Sequence, residues 1–156
     1  MAHVNTSPTS DGDWLPALRR YAMFIAIANL IWEASHLPLY TIWSEGKPRE
    51  IAFAVAHCTG GDLLIAIGCL ILALILIGAP SWPAARFVPV MAVAVTFGLT
   101  YTGYSEWLNV EVRSSWAYSD AMPVVPPFGT GLSPLLQWLV LPPLGLLWAR
   151  RARCLG

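Results

Sequence analysis

The chain has 156 residues, of which 56% are apolar and 12% charged, with a formal net charge of zero. Soluble domains of this size carry about 25% charged residues, so half that share, with a mean hydropathy of +0.59, points to a surface that mostly faces lipid. Nine basic residues scattered among apolar runs form no nucleic-acid patch, and three cysteines make neither a disulfide framework nor a Cys-rich zinc module.

Residues 1–18 are polar, with Pro8, Asp11, Gly12 and Asp13, and read as a cytoplasmic tail ahead of a single transmembrane domain over 19–153. Four apolar runs follow, at about 21–43, 51–79, 88–108 and 133–149, each near the length of about 20 residues that crosses a bilayer as a helix. The first is too long for a signal-peptide core. The fourth contains Pro142 and Pro143, which remove backbone donors and predict a kink. The expected fold is an all-α integral membrane protein, a bundle of four transmembrane helices.

Six basic residues (Arg19, Arg20, Arg86, Arg150, Arg151, Arg153) fall on one side of these spans and three (Lys47, Arg49, Arg113) on the other. The positive-inside rule then places both termini in the cytoplasm, with a bacterial inner membrane as the default location. The long connection between spans 3 and 4, about 110–132, holds Trp116, Tyr118 and several prolines and glycines. It reads as an irregular lid over the outer end of the bundle. Small residues on spans 1 and 2, such as Ala22/Ala26 and Gly61/Gly68, allow close helix contact, so a homo-oligomer or a partner in a membrane complex is expected.

Ionisable groups inside a span are costly and face the bundle interior. Here they concentrate toward the outer half. Span 1 carries Asn29, Glu33, His36 and Tyr40 at i, i+4, i+7 and i+11, one helical face. Span 2 carries His57, Cys58, Thr59 and Asp62. Span 3 carries Thr102, Glu106, Asn109 and Arg113 at the same spacing, and Gln137 enters from span 4. With a rise of about 1.5 Å per residue, His36 and His57 fall roughly 10 Å below the outer helix ends, and Glu33 and Asp62 roughly 15 to 17 Å.

Glu33 and His36 form an E-x-x-H pair, a spacing that lets both side chains reach one metal ion in four-helix carboxylate proteins. There is one such pair rather than two, so a single ion is expected. The leading expectation is a metal-binding protein with Glu33, His36, His57, Asp62 and Glu106 as the ligand set. Imidazole with carboxylate suits zinc, iron, manganese or copper. Haem held by His36 and His57 is an alternative, opposed by two carboxylates beside an apolar macrocycle. A third reading is a metal-free acid–base enzyme for a lipid-soluble substrate, in which Glu33 and His36 or His57 shuttle protons, with Glu33 and Asp62 as the catalytic candidates. In residue types alone it resembles sterol-isomerase-type membrane enzymes, which combine intramembrane His, Glu and Trp; no motif aligns and no residue role follows. A structural subunit whose polar groups fasten helices together is the fourth.

Overall fold

The computed structural model describes residues 14–151. The helices are α1 (Trp14–His36), a short α2 (Ile42–Glu45), α3 (Pro48–Ile77), α4 (Phe87–Trp107) and α5 (Leu132–Arg151). Among the described residues four segments are long and apolar enough to cross a membrane, and the fold is a four-helix transmembrane bundle. Each of α1 and α4 packs against both α3 and α5, so α1 and α4 lie on one diagonal of the bundle, α3 and α5 on the other.

The helix bounds differ from the sequence expectation in ways the local chemistry explains. α1 is already helical at Trp14, the first described residue and seven residues before Tyr21, so part of the expected tail is helical; residues 1–13 lie outside the described residues. α1 stops at His36 rather than Trp43, because Pro38 cannot supply the next ladder donor; the chain continues as one 3-10 turn, Leu37–Leu39. α3 opens with Pro48 and a reciprocal cap in which the Lys47 N–H donates to Glu50 Oε2 at 2.9 Å, and it closes on Gly78 at φ 60, a left-handed position that suits glycine. α4 is followed by a single π turn, Leu108–Val112. α5 runs helically through both Pro142 and Pro143.

The buried stripes divide the bundle into two storeys, an inner one at the end where α1 begins and α5 finishes and an outer one beneath the connection from α4 to α5. α1 buries Ala17, Tyr21 and Ile25 at its inner end, then Asn29, Glu33 and His36. α4 repeats the switch, from Phe87, Val90, Ala94 and Gly98 to Thr102 and Glu106. α3 buries only Ala66, Leu70 and Ala73, all in its inner half. The inner storey is thus an apolar core; the outer storey is polar, with the outer half of α3 loosely covered.

The connection between α4 and α5 is the irregular lid expected from its prolines and glycines, and it is stitched down. Thr41 N–H donates to Ala117 O at 3.0 Å and Ser119 N–H to Leu39 O at 2.9 Å, flanking an antiparallel bridge between Tyr40 and Tyr118. A minimal antiparallel pair, β1 (Val124–Val125) and β2 (Thr130–Gly131), pairs Val124 with Gly131 and leads directly into α5.

Candidate functional site: a polar cavity in the outer half

Gln137 is the hub. Its amide Nε2 lies 2.8 Å from Asn29 Oδ1, 3.0 Å from Glu33 Oε1 and 2.8 Å from Asp62 Oδ2, so α5 reaches across the bundle centre to α1 and α3. An amide nitrogen carries two hydrogens, and here three oxygens face it. Asp62 is also within hydrogen-bonding range of Glu33. The two amide hydrogens are shared among the three oxygens.

His36 closes the other side of Glu33, with Nε2 3.1 Å from Oε2. Its Nδ1 lies 3.0 Å from Ser133 Oγ, and Ser133 Oγ accepts from Trp32 Nε1 at 3.3 Å. With the imidazole hydrogen on Nε2, His36 donates to Glu33 and Nδ1 accepts the serine hydroxyl's hydrogen, while the serine oxygen keeps a lone pair for Trp32. Glu33 receives donors from both Gln137 and His36. Asp62 receives one, from Gln137.

A second carboxyl stands apart at Glu106. The Tyr118 hydroxyl donates to Glu106 Oε2 and accepts from the Gly131 N–H at 2.9 Å. Burial first, and then the bond to Glu106, push the Tyr118 phenol well above its usual range, so it stays a donor at neutral pH. Tyr40 is pushed up likewise by burial and by Glu106. Its ring bridges the two clusters, 5.2 Å from His36 and 5.5 Å from Tyr118 between centroids. Replacing the latch tests its weight: Tyr118→Phe removes the donor to a buried carboxyl and should destabilise by about 1–3 kcal/mol, read as a lowered thermal midpoint in detergent. An unchanged midpoint would show that the lid holds without it.

All five expected site residues line one cavity of ≈ 930 Å³, near the upper end of the range of about 300–1,000 Å³ for ligand pockets. They do not all meet. Glu33 and Asp62 are joined through Gln137, His36 is bonded to Glu33, Glu106 is held by the lid, and His57 is exposed, its ring stacked on Phe53 at 5.5 Å and 14°. Among the described residues no three His, Cys, Asp or Glu side chains are arranged to hold a metal ion. His36 also sits at the last residue of α1, not the depth of several residues that a helix continuing to Trp43 would give it.

Sequence reasoning did not assign Ser133 and Tyr118 their roles. Ser133 carries a readable signal, since it lies one turn before Gln137 on the same helix. Tyr118 carries none beyond its type. Comparison with known proteins finds no match: no family model, curated protein or solved structure resembles this chain significantly.

Proposed function

We propose that this protein is an intramembrane acid–base enzyme acting on a lipid-soluble substrate held in the outer-half cavity. One observation carries the reading: two carboxyls from different helices, Glu33 and Asp62, share the single amide of Gln137 in a low-dielectric bundle, where two adjacent like charges are costly and one proton relieves them. The donors around each carboxyl divide the roles. Glu33, with N–H groups from Gln137 and His36, is the ionised base; Asp62, with fewer donors, is the protonated acid. Asp62 gives its proton to one atom of the substrate while Glu33 removes a proton from another. The pair resets when the proton passes from Glu33 to Asp62. Such an isomerisation balances with no oxidant, reductant or co-substrate.

Infrared spectroscopy tests this without knowing the substrate. A protonated-carboxyl C=O band should persist at neutral pH and vanish in Asp62→Asn. Two fully ionised carboxylates at neutral pH would remove the basis of the mechanism.

A second reading, a bound zinc, iron, manganese or copper ion, is favoured by the Glu33–His36 pair at 3.1 Å on the wall of the same cavity. It requires His57 to leave Phe53 and turn inward, or Asp62 to give up Gln137. Elemental analysis of protein purified without chelator decides: about one transition metal per chain, lost in His36→Ala, would replace the metal-free scheme.

The cavity then opens toward the outer face of a bacterial inner membrane, with both termini cytoplasmic. In a chain with its native cysteines replaced by serine, Lys47→Cys should label from outside and Arg151→Cys only after permeabilisation. Equal labelling of both from one side would reverse or break this topology.

A further inference from the structure

Two arginines stand at the outer rim of the cavity. Arg49 lies in the first turn of α3 and Arg113 just beyond the π turn that follows α4. Both line the cavity, both are exposed, and among the described residues neither side chain makes an ion pair or a hydrogen bond. The rim's carboxylate, Glu50, is already engaged by the Lys47 N–H. The start of α3 adds the partial positive charge of a helix N-terminus. The rim is cationic while the deep end, at Glu33 and Asp62, is acidic.

The wall between them is built for a chain. Along α3, Arg49 and Asp62 are separated by thirteen residues, about 20 Å of helix. This stretch of α3 buries no residue fully, and its cavity-lining Phe53 is 67% exposed, as is Tyr101 of α4 at 48%. The cavity flank is therefore apolar and faces lipid. Gly61 lies on that wall, and a Cβ added there would meet nothing within 4 Å.

We propose that the ligand is a long-chain anionic amphiphile, its carboxylate or phosphate head on Arg49 and Arg113 and its hydrocarbon chain running inward to the Glu33–Asp62 pair. It keeps the orientation of a lipid in the outer leaflet, head at the interface and chain toward the midplane, so it can enter sideways between α3 and α4. Guanidinium groups suit both head types, because each presents paired donors to paired oxygens. The chemistry would then fall on the chain, about 20 Å from the head. This inference rests on the acid–base reading for what happens at the deep end, and on the rim alone for what binds.

Brominated stearate, the corresponding lysophosphatidate and the neutral monoglycerol ester serve as probes, because bromine on the chain quenches the tryptophans that line the cavity, Trp116 and Trp138. With the full chain in uncharged detergent, the better anionic probe should bind about tenfold more tightly than the neutral ester. Whichever anionic probe is tighter identifies the head as a fatty-acid carboxylate or a lipid phosphate. In Arg49→Gln/Arg113→Gln the preference should disappear while the neutral ester binds as before. Gly61→Leu, which fills the wall without a clash, should weaken all three. Equal binding of charged and neutral probes, or a preference that survives the double substitution, would overturn the head-group assignment. Quenching indifferent to Gly61→Leu would overturn the cavity as the binding site. The infrared band reports on the carboxyl pair whether or not a ligand binds, so the two readings fail separately.

Discussion

Gln137→Leu should be the most damaging single substitution in the outer half, costing about 3 kcal/mol or more. Leucine matches the glutamine in bulk but offers no donor. Asn29 Oδ1, Glu33 Oε1 and Asp62 Oδ2, each 2.8–3.0 Å from Nε2, lose the two hydrogens they share. Each buried acceptor left without a partner costs about 1–3 kcal/mol, more when charged, and breaking a buried charged network by removing one member costs about 3–5 kcal/mol. Leu139→Ala, on the exposed side of the same helix, provides the control and should fall within about 1 kcal/mol. Thermal or denaturant unfolding in micelles measures both. Comparable midpoints for Gln137→Leu and the control would mean that the network does not hold the bundle together.

Gly98→Ala and Gly61→Ala should move stability in opposite directions. A Cβ at Gly98 would lie 2.2 Å from Cε3 of Trp138, far inside contact distance, and Trp138 is only 4% exposed. The indole has nowhere to retreat, so α4 and α5 must separate. Overpacking of this kind costs about 1–3 kcal/mol. At Gly61 the added methyl meets open space, and replacing a mid-helix glycine gains up to about 1 kcal/mol of helix propensity. The same unfolding series reads both, and a stabilised Gly98→Ala would refute the close approach of α4 to Trp138.

The membrane spans were legible because length and hydropathy alone decide them, and the outer-half clustering because the i, i+4, i+7 spacing of Asn29, Glu33 and His36 needs only helix geometry. The rotation of α3 was not. From Leu63 to Ile77 that helix is apolar on every side, so no stripe there says which face turns inward. The buried residues Ala66, Leu70 and Ala73 settle it: continuing back by fours from Ala66 gives Asp62 and Cys58. His57 sits about 100° away from Cys58 around the axis, on the exposed side. Depth counting put His57 level with His36 but could not aim it. The end of α1 was readable from Pro38, since a helix seldom runs through a proline that must donate. The Tyr118–Glu106 latch was out of reach, because a lid without periodicity gives no register from which to place a hydroxyl twelve residues beyond its partner.

Pro142 and Pro143 have a mechanical consequence for α5. Both lack the N–H that would bond to the carbonyls of Trp138 and Leu139, so two rungs of the helical ladder are already missing at that level. Bending there breaks no further backbone bond, whereas bending elsewhere in the helix does. The compliant turn lies between Gln137 on one side and Gly145, packed against Tyr21 and Phe24, on the other. α5 thus behaves as two stiff rods on a soft joint. The inner rod is clamped in the apolar storey, and the outer rod, carrying Ser133 and Gln137, is free to follow the positions of Glu33 and Asp62.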